Sequence, residues 1–276
     1  MSPSRIHPTA IIDPRAELAE GVEVGPCAVI EAGVRVGPGT VIGPFVHLQG
    51  LTEIGPDNRI GTGATLGHAP QHAAYRGVPT RLLIGRGNTI REYVSVHRAF
   101  EADGATLIGD GCMLMGFCHV AHDCRLGDRV TIANGSLLGG HVTVGDGVFI
   151  SGLLAVHQFC RIGRLAMLSG LSGITQDVPP FMIVEGRPAF LRGLNTVGLR
   201  RAGVSPAARQ ELRRLFRQLY RSGRSPREAI AGIDRAALTD EGKELIDFYA
   251  SSRRGVTPFA PYRSRSAATL PEEIEQ

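Results

Sequence analysis

With 276 residues and a net charge of +4, the chain is long enough to bury a full core and only mildly basic. Its arginines have few aromatic companions and form no nucleic-acid-binding motif, and no membrane-length apolar run or leader-like N-terminus occurs, so neither nucleic acid nor a membrane span is expected. The five cysteines (Cys27, Cys112, Cys118, Cys124, Cys160) contain no CxxC pair, which speaks against a zinc ribbon and for a reducing, cytoplasmic setting.

The 36 glycines, in a chain without Trp, need a structural cause. Taking every sixth residue from Ile6 gives Ile12, Leu18, Val24, Ile30, Val36, Ile42, Leu48, Ile54, Ile60 and Leu66; the series resumes through Val78, Ile84, Ile90 and Val96, and again from Ile108 to Ile174. Only His72 and Ala102 fail among 29 positions, where Ile, Leu and Val at 65 of 276 residues would fill about seven by chance. Gly follows the aliphatic residue twelve times, which suits a turn with permissive backbone angles. Small or β-branched residues such as Ala28, Val34, Thr40 and Val46 recur four places after it. A period of six fits neither a helix nor an ordinary strand, so each hexad reads as one short strand and a corner. Three hexads close one triangular coil, and the stack forms an all-β parallel β-helix. Residues 68–81 and 98–105 interrupt it as protruding loops, the usual place for substrate contacts.

The pattern stops at Pro179-Pro180, and a β-helix domain over 1–190 gives way to helices over 191–256. Ser205-Pro206 opens a helix with Leu212, Leu215, Phe216, Leu219 and Tyr220 on one face, ending near Gly223. Ser225-Pro226 opens a second, and Thr239 or Asp240 a third that runs to about Arg254. From Val256 the composition predicts disorder, with 257–276 as a tail.

On a coil of three hexads, His122, His141 and His157 fall on successive turns at nearly one angular position, with His119, Asp123 and Gln158 beside them. A lone outward histidine is usually just solvated; three in one column predict binding along this edge. Two chemistries fit. His122 can be a general base, since imidazole titrates near 6.5, with Asp123 orienting its ring. Alternatively the three histidines bind zinc, as in γ-class carbonic anhydrases. Cys112, Cys118 and Cys124 sit six apart, as small residues suited to the repeat rather than as ligands.

The stretches IREYVSVHR (90–98), HVAHDCRLG (119–127), ANGSLLGGHV (133–142), AVHQFCRIG (155–163), SGITQDVPP (172–180), GLNTVGLRRAG (193–203), LYRSG (219–223) and FYASSRRG (248–255) resemble the UDP-N-acetylglucosamine O-acyltransferases of lipid A biosynthesis. The resemblance covers about residues 5 to 255. It implies a left-handed β-helix, a homotrimer with sites between subunits, an acyl carrier protein as donor and a UDP-amino sugar as acceptor, with no cofactor and no metal. It makes His122 the catalytic base, Asp123 its partner and the Gly140 N–H the oxyanion contact. It places Gln71, His119, His141, His157, Gln158, Asn195 and Arg201 along the substrate cleft, and Met167 and Gly170 on the floor of the acyl channel. Arg200, Arg201, Arg213, Arg214 and Arg217 would offer a basic surface to an acidic carrier or a nucleotide phosphate.

There are departures. Where the family usually reads QDLKY, this chain has Gln71-His72-Ala73-Ala74-Tyr75; Val197 stands where the family has an acidic residue, and Ala202 replaces the second of two arginines. The base is retained while contacts to the sugar and nucleotide change. A changed acceptor, such as a 3-amino sugar or another nucleotide sugar, is therefore an alternative to UDP-N-acetylglucosamine.

Overall fold

A computed structural model describes residues 4–260. Strands of two to five residues alternate with corners and stack into three sheets of eleven, nine and eight strands among the described residues, parallel except for the last pair, a left-handed β-helix of triangular section. Strand partners on neighbouring uninterrupted coils are three hexads apart, as in Ile6 with Val24 and Val120 with Leu138. The aliphatic column fills the interior: Ile30, Ile42, Leu48, Leu114 and Ile132 are almost wholly buried, each contributing about 1.5–3 kcal/mol of burial. A second inner layer comes from the small positions, with Val22, Ala28, Val34 and Val46 inaccessible. Cys112, Cys118 and Cys124 occupy the same layer as free thiols, and burial pushes them up to about 11, 11 and 12, so they are filler rather than nucleophiles.

The insertions explain why the six-residue phase survives them. An uninterrupted coil would set Ile54 beside position 72, but its partner is Ile84; it would set Ile84 beside position 102, but its partner is Ile108. The chain therefore gains two extra hexads in the first insertion and one in the second, and whole hexads leave the phase intact. Strand ends at His68, Arg81, His97 and Ala105 trim the loops to residues 69–80 and 98–104. His72 and Ala102 break the pattern because they lie in these loops; Val78 keeps the phase by arithmetic alone and is outside the core.

Of the twelve glycines after the aliphatic residue, only Gly67 has positive φ (80°); the others are not there for their backbone angles. None of Gly25, Gly37, Gly55, Gly109 or Gly145 has positive φ. A Cβ on Gly37 would instead lie 2.7 Å from the Gly55 carbonyl carbon of the next coil, and one on Gly25 2.9 Å from that of Gly43. Close coil-to-coil approach is the cause. The left-handed conformation falls two residues later, often on large side chains: Phe45, Tyr93, Phe117, Leu153 and Leu171 all have φ near 55–62° at one corner, with Gly63 and Gly135 in the same column. That conformation costs roughly 1–2 kcal/mol for an L-residue. It turns the corner N–H toward the coil below, as in Phe45 N–H to the Pro26 carbonyl (3.0 Å) and Phe117 N–H to that of Glu92 (3.0 Å), which offsets the cost.

An antiparallel hairpin, Met182–Glu185 with Phe190–Leu194, extends the eleven-stranded sheet beside Met167–Leu168, so a domain boundary at 190 falls inside a strand. Four helices follow: α1 (Thr196–Arg201), α2 (Pro206–Arg221), α3 (Pro226–Ala231) and α4 (Asp240–Ser251). Ser205, Ser225 and Thr239 cap α2, α3 and α4, and α2 buries Leu212, Leu215, Phe216 and Leu219. Helix α1 and the hairpin carry no repeat or start signal strong enough to be read from the residues, and α4 stops at Ser251, short of Arg254. The expected disorder from Val256 is corrected as far as residue 260: Val256 pairs with Asp177, Phe259 pairs with Leu191, and Thr257 is buried. The remainder of that tail, 261–276, lies outside the described residues. No described helix is long and apolar enough to cross a membrane.

Candidate active site

The second insertion meets the histidine-bearing coils at one corner of the prism. Asp123 sits there with φ 59°, its N–H bonded to Thr106 Oγ1 (2.8 Å), and its Oδ2 accepts the backbone N–H of Phe100 from the loop (2.9 Å). The same oxygen accepts the Nδ1–H of His122 at 2.7 Å. His122 is only 9% exposed. Because Nδ1 carries the proton, the Nε2 lone pair is the free basic position of the ring.

Gly140 lies on the next coil directly against this ring. A Cβ there would be 2.7 Å from His122 Cε1 and 2.8 Å from Nε2, so the ring's position demands glycine. The Gly140 N–H makes no hydrogen bond within the described residues. The unprotonated Nε2 of His122 and the unpaired Gly140 N–H therefore lie on neighbouring coils at one corner.

His141 stacks beside the pair, its ring 5.2 Å from that of His122 and 4.5 Å from Phe159, with Nε2 3.8 Å from Asp123 Oδ2. His119 bonds Ser95 Oγ through Nδ1 (2.8 Å), and burial, then the nearby His122, hold it below the ordinary imidazole range. From the first insertion, His72 sets its ring 4.4 Å from Phe100 and edge-on to His122 at 5.7 Å, with Gln71 exposed beside it. The loop is fastened by Arg98, which donates to the Gly67 carbonyl (2.7 Å) and to Tyr75 Oη (3.3 Å).

The three expected histidines do not form one column. His157 stands at a strand end, and its Nδ1 accepts from Arg254 of the C-terminal segment (2.9 Å); Phe159 takes the place beside His141. The three-histidine zinc set is thus not assembled. Among the described residues, the donor group within metal-binding reach is His122, Asp123 and His141, where the shared His122 proton already occupies one ligand position.

Other expected residues lie elsewhere on the prism. Asn195 caps α1 through Oδ1 to Gly198 N–H (2.9 Å) and donates Nδ2 to the Leu165 carbonyl (2.9 Å), at a different corner from His122. Exposed Arg201 ends the same helix. Met167 lies on the face following that corner, paired with Phe149, and Gly170 packs by the Gly152 carbonyl. Gln158 is exposed next to Gly140's coil. Sequence reasoning missed Phe100, which acts through its backbone, and His97, whose ring lies 5.1 Å from His119. Burial, then His119, pushes His97 down to about 4, so it packs as a neutral ring. An HR pair closing a strand before an insertion was the available signal.

Comparison with known proteins finds relatives over nearly the whole chain. Residues 33–68 and 105–140 match the bacterial transferase hexapeptide family, and residues 177–257 match the second domain of UDP-N-acetylglucosamine O-acyltransferase. The acyl-[acyl-carrier-protein]–UDP-N-acetylglucosamine O-acyltransferase of Halorhodospira halophila is 51% identical over 257 residues, 92% of this chain and 99% of that one. That of Paraburkholderia phymatum is 50% identical over 259 residues, with the same coverage. The solved Acinetobacter baumannii relative superposes with a TM-score of 0.87 at 39% identity, covering 91% of this chain and 99% of its own.

Proposed function

The chain belongs to the UDP-N-acetylglucosamine O-acyltransferase family, and from that premise we propose that it moves an acyl chain from an acyl carrier protein thioester to the 3-hydroxyl of UDP-N-acetylglucosamine, the first step of lipid A synthesis, with His122 as general base. The observation that carries this is the 2.7 Å bond from His122 Nδ1 to Asp123, which leaves Nε2 basic beside the free Gly140 N–H. As the sugar oxygen attacks the thioester carbonyl, its proton passes to His122 Nε2. The imidazolium is stabilised by Asp123, and the oxyanion by Gly140. Collapse of the tetrahedral intermediate expels the carrier's thiolate, which takes the proton from His122. No metal or cofactor enters any step.

The split of the remaining residues supports a homotrimer. Asn195, Arg201, Met167 and Gly170 lie away from the His122 corner, so one subunit's base would meet a neighbour's nucleotide contacts and acyl channel. Phe45, Tyr93, Phe117, Leu153 and Leu171 are exposed along one corner, and Tyr93 stacks on Phe117 at 5.1 Å; a neighbouring copy would cover this apolar ladder. The exposed Arg213, Arg214 and Arg217 on α2 offer an acidic carrier protein its counter-charge. We place the reaction in the cytoplasm, in keeping with five free cysteines.

One observation favours a second reading. His72 replaces an acidic family residue and stands against the base itself, so the acceptor would differ, for instance as a 3-amino sugar. Acyl transfer from a panel of carrier-protein thioesters to UDP-N-acetylglucosamine and to its 3-amino analogue separates the two. Turnover of the hydroxyl sugar, reduced about 10²–10⁴-fold in His122→Ala, is the expected result. Turnover of the amine alone would replace the acceptor and keep the base.

A further inference from the structure

The C-terminal segment after α4 folds back onto the β-helix and touches His157. Ser252 Oγ donates to Asp177 Oδ2 (2.8 Å), Asp177 N–H donates to the Gly255 carbonyl (2.9 Å), and Thr257 N–H donates to that of Asp177 (2.8 Å). Asp177 is 1% exposed. This strap holds Arg254 over the last coil, where Nε donates to the Thr175 carbonyl (2.7 Å) and a terminal nitrogen donates to His157 Nδ1 (2.9 Å).

We propose that Arg254 is a positioning residue that fixes His157 as its neutral Nε2–H tautomer, so that this N–H is the ring's donor toward the acceptor. A guanidinium has donors and no acceptor, so Nδ1 must present its lone pair to it. A neutral ring then carries its proton on Nε2, which has no partner among the described residues. The Gln158 carbonyl lies 3.2 Å from the same Nδ1 and favours the opposite tautomer, since a carbonyl can only accept. Two neighbours thus compete for one nitrogen. The shorter, charged contact with Arg254 wins, and its removal hands Nδ1 to Gln158.

The inference rests on the reading that His157 lines the acceptor cleft, but the tautomer itself is measurable without turnover. In full-length protein labelled at histidine nitrogen, the His157 resonance is compared by NMR in the parent, Arg254→Met and Ser252→Ala, with melting curves confirming that each variant folds. The parent should show Nε2–H and Arg254→Met should show Nδ1–H. The acceptor KM in Arg254→Met should rise about 5- to 10-fold with kcat changed less than about 2-fold, the scale of one neutral hydrogen bond. Ser252→Ala loosens the strap without touching the guanidinium, and should keep the parent's tautomer and KM. Persistence of Nε2–H in Arg254→Met overturns the proposal, as does a Ser252→Ala variant that matches it in both readouts. A flipped tautomer with unchanged KM overturns the acceptor contact of His157 and leaves the base chemistry of His122 standing.

Discussion

The coils over residues 5–60 and those over 81–163 obey the same six-residue rule, yet they differ in what their outward positions do. In the first region the outward row of one face is Glu17, Arg35 and Glu53, three solvated charges with contacts of 3.2 and 3.9 Å. In the second region the outward positions near one corner hold His119, His122, Asp123 and His141, roofed by inserted loops that bring Phe100 and His72. A repeat supplies a rigid lattice of equivalent outward positions. Insertions make a few of them unequal, by removing water and adding partners from far along the chain.

Substituting one glycine on each side tests this division most severely. Gly140→Ala should lower acyl transfer about 10²-fold with little change in melting temperature, because its Cβ displaces the His122 ring while the coils stay stacked. Gly37→Ala should do the reverse: it presses on the Gly55 backbone, costing about 1–3 kcal/mol in thermal unfolding, and leaves kcat unchanged at low temperature. Equal activity losses in both would dissolve the comparison.

His97 sharpens it through pH. Its folded value of about 4 lies below the unfolded 6.5, so between those values the unfolded chain binds the proton and the folded one resists it. Stability contributed by the neutral ring is therefore full above 6.5 and falls as pH drops. Between about pH 7 and pH 5 the loss should be about 2 kcal/mol, and His97→Gln should flatten that slope in denaturant titrations. The smallest effect is expected from Arg35→Ala in the charged ladder: less than about 1 kcal/mol of stability and no change in turnover.

How much was legible follows from how local each signal is. The aliphatic column was readable because burying one hydrophobic face fixes every sixth residue, and the insertions were visible as the two failures at His72 and Ala102. Except at Gly67, the glycines were read for the wrong reason. Their count is in the sequence, but contact with the next coil, three hexads further along the chain, is what excludes a Cβ. Val256 to Phe259 looked disordered because their partners, Asp177 and Leu191, lie far back in the chain, before all four helices, and no local pattern announces them. Among the histidines, the His122–Asp123 pair needed only adjacency, and the three-hexad register alone sets Phe159 rather than His157 beside His141, whereas the Arg254 partner of His157 comes from far along the chain.

The sequence by itself determined the coil: its period, its apolar interior, its caps on α2 to α4 and the residues able to act as base and partner, because hydrophobic periodicity and side-chain chemistry are properties of the chain alone. Tertiary structure decided which partners meet each imidazole, which glycine must stay bare and which residues share the His122 corner. Those depend on atoms brought within about 3 Å from distant coils, and a hydrogen bond of that length has no signature in residue spacing.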